Sequence, residues 1–117
     1  MNFEKRTSLI LFLEELSSRH EQVRLWLNQD DFPNIYGIDE VYHFFFDDTD
    51  LGDDPFSEIG NILANSYEAE HIQKLCKKLI EILDRLGDAN SDVFMNDHQW
   101  QCVMSIAQDC LTLINKP

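Results

Sequence analysis

The sequence predicts an all-α protein, a compact bundle of four to five helices with one short irregular acidic segment. Two long stretches, residues 67–86 and 97–114, carry apolar residues at the three- and four-residue spacing of a helix face. The connections between the periodic stretches are short, which favours helices packed against their chain neighbours. The 117 residues and 44% hydrophobic content suit one compact helical domain over 1–117.

The first predicted helix carries an apolar stripe at helical spacing. Its members are Leu9, Leu13, Leu16, Val23 and Leu27, with Phe12 widening the stripe. A break in the pattern is expected near Ser17–Ser18. Two basic residues precede an apolar run of only five residues, which Glu14 ends. We therefore interpret this stretch as an amphipathic helix rather than an export signal.

Residues 28–37 are predicted to form a connection, because Pro33, Asn34 and Gly37 favour turns. The stretch 38–46 is ambiguous, since its valine, tyrosine and phenylalanines favour a strand whereas their spacing favours a helix capped near Asp39. We predict the helix. Each residue rotates a helix by about 100°, so one of the three rings in 44–46 is expected near the surface.

Capping residues mark two further helix starts. Asp54 followed by Pro55 predicts the cap and first position of a short helix. Asn65 or Ser66 predicts the start of the longest helix, and Gly87 its end. The short helix is expected to bury Ile59, Ile62 and Leu63, and the long helix Ile72, Leu75, Cys76, Leu79, Ile80, Leu83 and Leu86.

Residues 88–97 are predicted to form a loop that places Val93 and Phe94 in the core, with Asn96 or Asp97 capping the last helix. The apolar stripe of that helix consists of Trp100, Val103, Met104, Ala107, Cys110, Leu111 and Ile114. The three cysteines, Cys76, Cys102 and Cys110, are odd in number and lack a CxxC spacing. They predict buried free thiols in a reducing cytoplasm rather than disulfides or a zinc site.

The charge balance restricts the class of partner. Twenty-two acidic residues face nine basic ones, for a formal net charge of −13. This charge disfavours binding to nucleic acid and to anionic membranes, both of which require lysine and arginine. It favours encounter with a basic protein. The alternative is that the charge serves only solubility.

The acids concentrate in "FFFDDTDLGDDPFSEIG", residues 44–60. Counting Asp47 as the first position of a calcium loop places Gly52 sixth and Glu58 twelfth, but Thr49 and Leu51 then occupy ligand positions that they fill poorly. An acidic turn with capping aspartates explains the stretch better than a metal site, so we predict no bound metal and no cofactor.

Catalysis is not indicated by the sequence. The four histidines are scattered, with no pair at the spacing that helical metal ligands use, and four glycines form no phosphate loop. The crowded carboxylates lie in a polar stretch where burial cannot separate their pKa values into an acid and a base. We therefore predict that the protein is not an enzyme.

An interaction surface is the remaining interpretation, since aromatic side chains fill pockets while a charged rim sets specificity. The predicted partner-binding residues are Asp47, Asp48, Asp50, Asp53, Phe56 and Glu58. Trp26, Tyr36 and Tyr42 are further aromatic candidates close to this segment in sequence.

The same segment resembles a family of small bacterial proteins without an assigned chemistry. The shared motif is an aromatic, Asp-Asp-Thr, a spacer, Asp-Pro, a serine and an Ile/Val-Gly pair. Here it consists of Phe46, Asp47-Asp48-Thr49, Asp54-Pro55, Ser57 and Ile59-Gly60. The similarity extends downstream through "LGDANSDVFMNDHQW" and more weakly upstream to "VRLWLNQDDFP".

By size and acidity, the chain also resembles immunity proteins of contact-dependent inhibition and other polymorphic toxin systems. That resemblance implies a protein that binds and neutralises a cognate toxin domain, often a nuclease. A nuclease must bind RNA or DNA, so its active cleft is expected to be basic, and we predict that this chain occludes the cleft as a cytoplasmic monomer. The alternatives are an acidic adaptor or regulatory domain for another basic protein and, less favoured, a divalent-cation-binding protein.

Overall fold

The computed structural model describes residues 1–27 and 37–116, and within them the predicted all-α fold is confirmed. The α-helices are α1 (Phe3–Ser17), α2 (Arg19–Gln22), α3 (Ile38–Tyr42), α4 (Ser66–Leu86), α5 (Ser91–Met95) and α6 (Trp100–Ile114). Two π-helical turns, Val23–Leu27 and His43–Asp48, directly follow α2 and α3, and Pro55–Glu58 is a 3-10 turn. The count exceeds the predicted four to five helices because α2, α3 and α5 are only four or five residues long.

The core lies where α6 packs against both α1 and α4. Each of the three long helices buries an apolar stripe in it: Leu9, Leu13 and Leu16 from α1, Ile72, Leu75 and Leu79 from α4, and Trp100, Val103 and Ala107 from α6 are fully buried. The stripes predicted for α4 and α6 are thus confirmed in most of their members. Burying them supplies the main favourable free energy of folding.

The predicted break between the first two helical segments occurs at Ser18, whose backbone is extended. Its hydroxyl accepts a hydrogen bond from Glu21 N at 3.2 Å and so caps α2. The extended residue rotates the following segment about its axis. The prediction that Val23 and Leu27 continue the buried stripe is therefore wrong, since both are exposed.

Gln22 and Trp26 are buried in place of those two residues. Gln22 Nε2 donates to the carbonyl oxygens of Glu15 (2.9 Å) and Leu16 (3.0 Å) at the end of α1. Its Oε1 accepts from the indole N–H of Trp100 at 3.0 Å. One amide side chain therefore joins α1, α2 and α6 with its polar atoms satisfied.

The predicted caps of α4 are confirmed. Asn65 Oδ1 accepts from Glu68 N at 3.0 Å, and Gly87 ends the helix with a positive φ of 58°. Two core predictions require correction: Ile80 is exposed, and Ile82, which the predicted stripe omitted, is fully buried.

The predicted loop 88–97 contains the short helix α5. Phe94 is buried as predicted, but Val93 is exposed and Met95 takes the second core position. Ahead of α6, the Asp97 carboxylate accepts hydrogen bonds from Gln99 N (3.0 Å) and from Arg85 (2.6 and 2.8 Å). These bonds, with that from Arg85 foremost, lower the pKa of Asp97 to about 2.

Cys76 and Cys110 are buried free thiols as predicted, and burial raises the pKa of both. Cys102 is exposed on α6, so its predicted burial is wrong.

Candidate functional site

The acidic segment begins at the end of a buried helical stretch. Residues 38–42 are helical, as predicted, and the π-helical turn His43–Asp48 continues them. The helix starts after Gly37 and not at Asp39. Phe44 and Phe45 are buried and Phe46 is half-buried, so the expected division of the three rings is confirmed.

The chain then folds back over the π-helical turn. Thr49 Oγ1 donates to Phe44 O at 2.9 Å and accepts from Leu51 N at 3.2 Å. Leu51 is fully buried, and Gly52 N donates to Phe45 O at 2.8 Å. A side chain at Gly52 would overlap the half-buried Phe46 ring. The backbone of 49–52 is therefore held by buried contacts that use none of the aspartate carboxylates.

Glu58 braces the other end of the segment. Its carboxylate accepts from Asp50 N at 3.0 Å and from Asn61 Nδ2 at 2.9 Å. Its carbonyl oxygen accepts from the backbone N–H groups of residues 61, 62 and 63. Only 7% of Glu58 is exposed. The sequence grouped this residue with the partner-binding acids, but its carboxylate points into the loop that it holds.

The Asp-Pro pair starts a single 3-10 turn rather than the predicted short α-helix. Pro55 takes the first position and is buried, but the Asp54 carboxylate makes no capping hydrogen bond. The Asp54 carbonyl instead accepts from Ser57 N (3.1 Å) and Ser57 Oγ (2.7 Å). Ile59, predicted to be buried, is 39% exposed, and the turn closes at Gly60 with a φ of 91°.

The remaining predicted site residues reach the surface. We call residues 47–58 the acidic loop. Its four aspartates predicted to bind a partner are exposed, at positions 47, 48, 50 and 53. Phe56 is 40% exposed. Lys5 Nζ lies 3.0 Å from the Asp48 carboxylate, and His43 Nδ1 lies 3.2 Å from that of Asp47. Such pairs between exposed groups are weak. The loop thus carries four closely spaced, exposed carboxylates on an internally fixed backbone.

Two of the other aromatic candidates, Trp26 and Tyr42, have their polar atoms engaged within the fold. Trp26 is buried and donates its indole N–H to Glu15 at 2.9 Å. Tyr42 donates its hydroxyl to Leu79 O at 2.6 Å, and burial raises its pKa. Tyr36 lies outside the described residues.

In 1–27 and 37–116, no three histidine, cysteine, aspartate or glutamate side chains are placed to share a metal ion. No helix among these residues is long and apolar enough to cross a bilayer.

Two exposed aromatic residues were not identified from the sequence. Phe3 is 73% exposed at the start of α1, and Tyr67 is 66% exposed at the start of α4. Both lie off the apolar stripe of their helix. An aromatic residue off the stripe in a first helical turn is the sequence signal that could have found them.

Comparison with known proteins identifies one family. The family model described as "Domain of unknown function (DUF7945)" matches residues 2–117. No curated protein and no solved structure shows significant similarity to the chain.

Proposed function

We propose that this chain, which belongs to the family described as Domain of unknown function (DUF7945), is an immunity protein that binds and neutralises a cognate bacterial toxin domain. The toxin is a nuclease, whose active cleft must be basic to hold nucleic acid. The acidic loop occupies that cleft in place of phosphate. The protein acts as a cytoplasmic monomer and catalyses no reaction.

The observation that carries this proposal is the exposed run of carboxylates on a braced loop. Thr49, Leu51 and Glu58 hold the backbone through buried contacts, while four aspartates remain in solvent. A loop already ordered in the free protein loses little conformational entropy when it binds. The net charge of −13 accelerates the encounter with a basic partner.

Two variants with equal charge change test the role of the loop. The loop variant carries Asp47→Asn, Asp48→Asn, Asp50→Asn and Asp53→Asn. The control variant carries Glu14→Gln, Asp84→Asn, Asp88→Asn and Asp109→Asn, all exposed positions outside the loop. Both variants lose four negative charges, so only the position of the change differs. The probe is the purified product of the open reading frame directly upstream.

Association with that product is measured at two salt concentrations. The loop variant should associate about 10-fold more slowly than the control variant and with a flatter salt dependence. Its melting temperature should stay close to the wild-type value, since the pairs of Asp48 with Lys5 and of Asp47 with His43 are exposed and weak. Equal kinetics for the two variants would show that only overall charge matters. Failure of the upstream product to bind the wild-type protein would contradict the immunity function and favour an adaptor for another basic protein.

The same variants separate the proposal from a metal site and from a purely structural turn. A metal site predicts a calcium-dependent rise in wild-type melting temperature that the loop variant loses. A structural turn predicts that the loop variant melts lower without a specific defect in binding.

A further inference from the structure

We infer that the partner surface extends from the acidic loop onto an apolar patch at the adjoining end of the molecule. The end patch consists of Phe3, Phe56, Ile59 and Tyr67. The partner that binds it is a basic protein surface with apolar pockets between its cations. Under the proposed function, this partner is the toxin domain. This inference rests on the proposed function and adds to it the anchors that set the lifetime of the complex.

Hydrogen bonds bring the elements of the end patch together. Arg6, in the second turn of α1, forms a bidentate pair with Glu68 in the first turn of α4, at 2.8 and 3.0 Å. The same guanidinium donates to Ile62 O at 2.8 Å. Asn2 N donates to Asn61 O at 2.6 Å. The starts of α1 and α4 and the turn 59–63 therefore meet at one end of the fold.

The apolar side chains of this end are left in solvent. Phe3 is 73% exposed, Tyr67 66%, Phe56 40% and Ile59 39%. Single exposed apolar residues are ordinary on a protein surface, but a group of them at one place marks an interaction site. Phenylalanine and tyrosine lose few rotamers on binding and are frequent anchors in pockets.

The end patch borders the acidic loop. Lys5 Nζ contacts both the carboxylate (3.0 Å) and the backbone carbonyl (3.2 Å) of Asp48, which ties the first turns of α1 to the loop. Phe56 belongs to the loop itself, and Ile59 follows it directly. The end patch therefore adjoins the acidic loop, whose carboxylates can form the polar rim beside the apolar anchors.

Charge complementarity selects the occupant. Lys5 and Arg6 are engaged internally with Asp48 and Glu68, so the cations of this region already have partners. A second copy of the chain would bring two acidic loops close together, and an anionic bilayer would be repelled. A basic protein surface matches the carboxylates, and pockets between its cations match the rings.

Two pairs of substitutions test the end patch against the upstream gene product. The patch variant carries Phe3→Gln and Tyr67→Gln, and the control variant carries Ile80→Gln and Val93→Gln. The control residues are also exposed but lie on the middle of α4 and on α5. Glutamine keeps good helix propensity at these positions. If Phe3→Gln lowers the melting temperature, the single substitution Tyr67→Gln is used as the patch variant.

The patch variant should dissociate about 10-fold or more faster than the wild-type protein, while its association rate and salt dependence stay unchanged. The patch variant thus changes the dissociation rate, whereas the loop variant changes the association rate. If the wild-type protein binds, the loop variant is impaired, and the patch variant dissociates like its control, the patch is refuted while the proposed function stands.

If the wild-type protein does not bind the upstream product at all, the proposed function fails and the patch fails with it. Sedimentation of the wild-type protein alone provides the remaining check. A dimer that the patch variant converts to a monomer would show that a second copy occupies the patch, which also overturns the inference.

Discussion

Replacing Gln22 by methionine should destabilise the protein strongly, although the new side chain has a similar length and is apolar. Gln22 is fully buried and makes three hydrogen bonds, two donated to the end of α1 and one accepted from the Trp100 indole. A buried polar group that loses its partner retains its desolvation cost and gains nothing in exchange.

The magnitude follows from the groups left behind. The indole N–H of fully buried Trp100 and the carbonyl of Leu16 each lose a partner. The Glu15 carbonyl still accepts from Ser18 N. Each of these two buried groups without a partner costs about 1–3 kcal/mol, and the apolar methionine side chain offsets part of this cost. The free energy of unfolding should therefore fall by about 3 kcal/mol. For a domain of this size, that corresponds to a fall of roughly 12 °C in melting temperature.

Urea unfolding followed by far-UV circular dichroism measures the effect, with Gln73→Met on the exposed face of α4 as the matched control. A double-mutant cycle with Trp100→Phe isolates the bond to the indole, with an expected coupling of about 1 kcal/mol. The reasoning is refuted if Gln22→Met is no more destabilising than the control, or if the two core substitutions are additive.

Four further outcomes are expected. Glu68→Gln should lower stability by about 3 kcal/mol near neutral pH, because it breaks a largely buried ion pair. Burial alone would raise the pKa of Glu68, but hydrogen bonds from its partners hold that pKa below its usual value. The stabilisation by the ion pair is thus complete above the unfolded pKa near 4.3 and is lost as the pH falls further. A stability advantage of the wild-type protein over Glu68→Gln that persists in strong acid would contradict this assignment. Gly52→Ala should cost about 1–3 kcal/mol, since a Cβ there overlaps the Phe46 ring, and an unchanged denaturation midpoint would reject that packing. Asp54→Ala should change stability by less than about 0.5 kcal/mol because the carboxylate caps nothing, and a larger loss in the same assay would restore the cap. In the native protein a thiol reagent should modify Cys102 alone and rapidly, and a count of more than one reactive thiol without denaturant would contradict the burial of the other two.

Local signals determined the regular parts of the fold. The caps of α4, the break at Ser18 and the stripes of α4 and α6 all depend on residues within about four positions of each other. These interactions are encoded in short windows of sequence, so the structure reproduces them. The exposure of Asp47, Asp48, Asp50 and Asp53 follows from the same source, because crowded carboxylates are too costly to bury together.

Only the tertiary structure decided which similar residues lie inside. The extended backbone at Ser18 turns the next segment, so that Gln22 and Trp26 replace Val23 and Leu27 in the core. Glu58 points inward because Asp50 N and Asn61 offer it donors across the folded loop. Periodicity gives the apolar face of one segment, but the orientation of that segment depends on distant contacts. Composition and local periodicity therefore predicted an acidic, helical protein, and the packing of remote segments determined that Glu58 turns inward and which aromatic rings reach the surface.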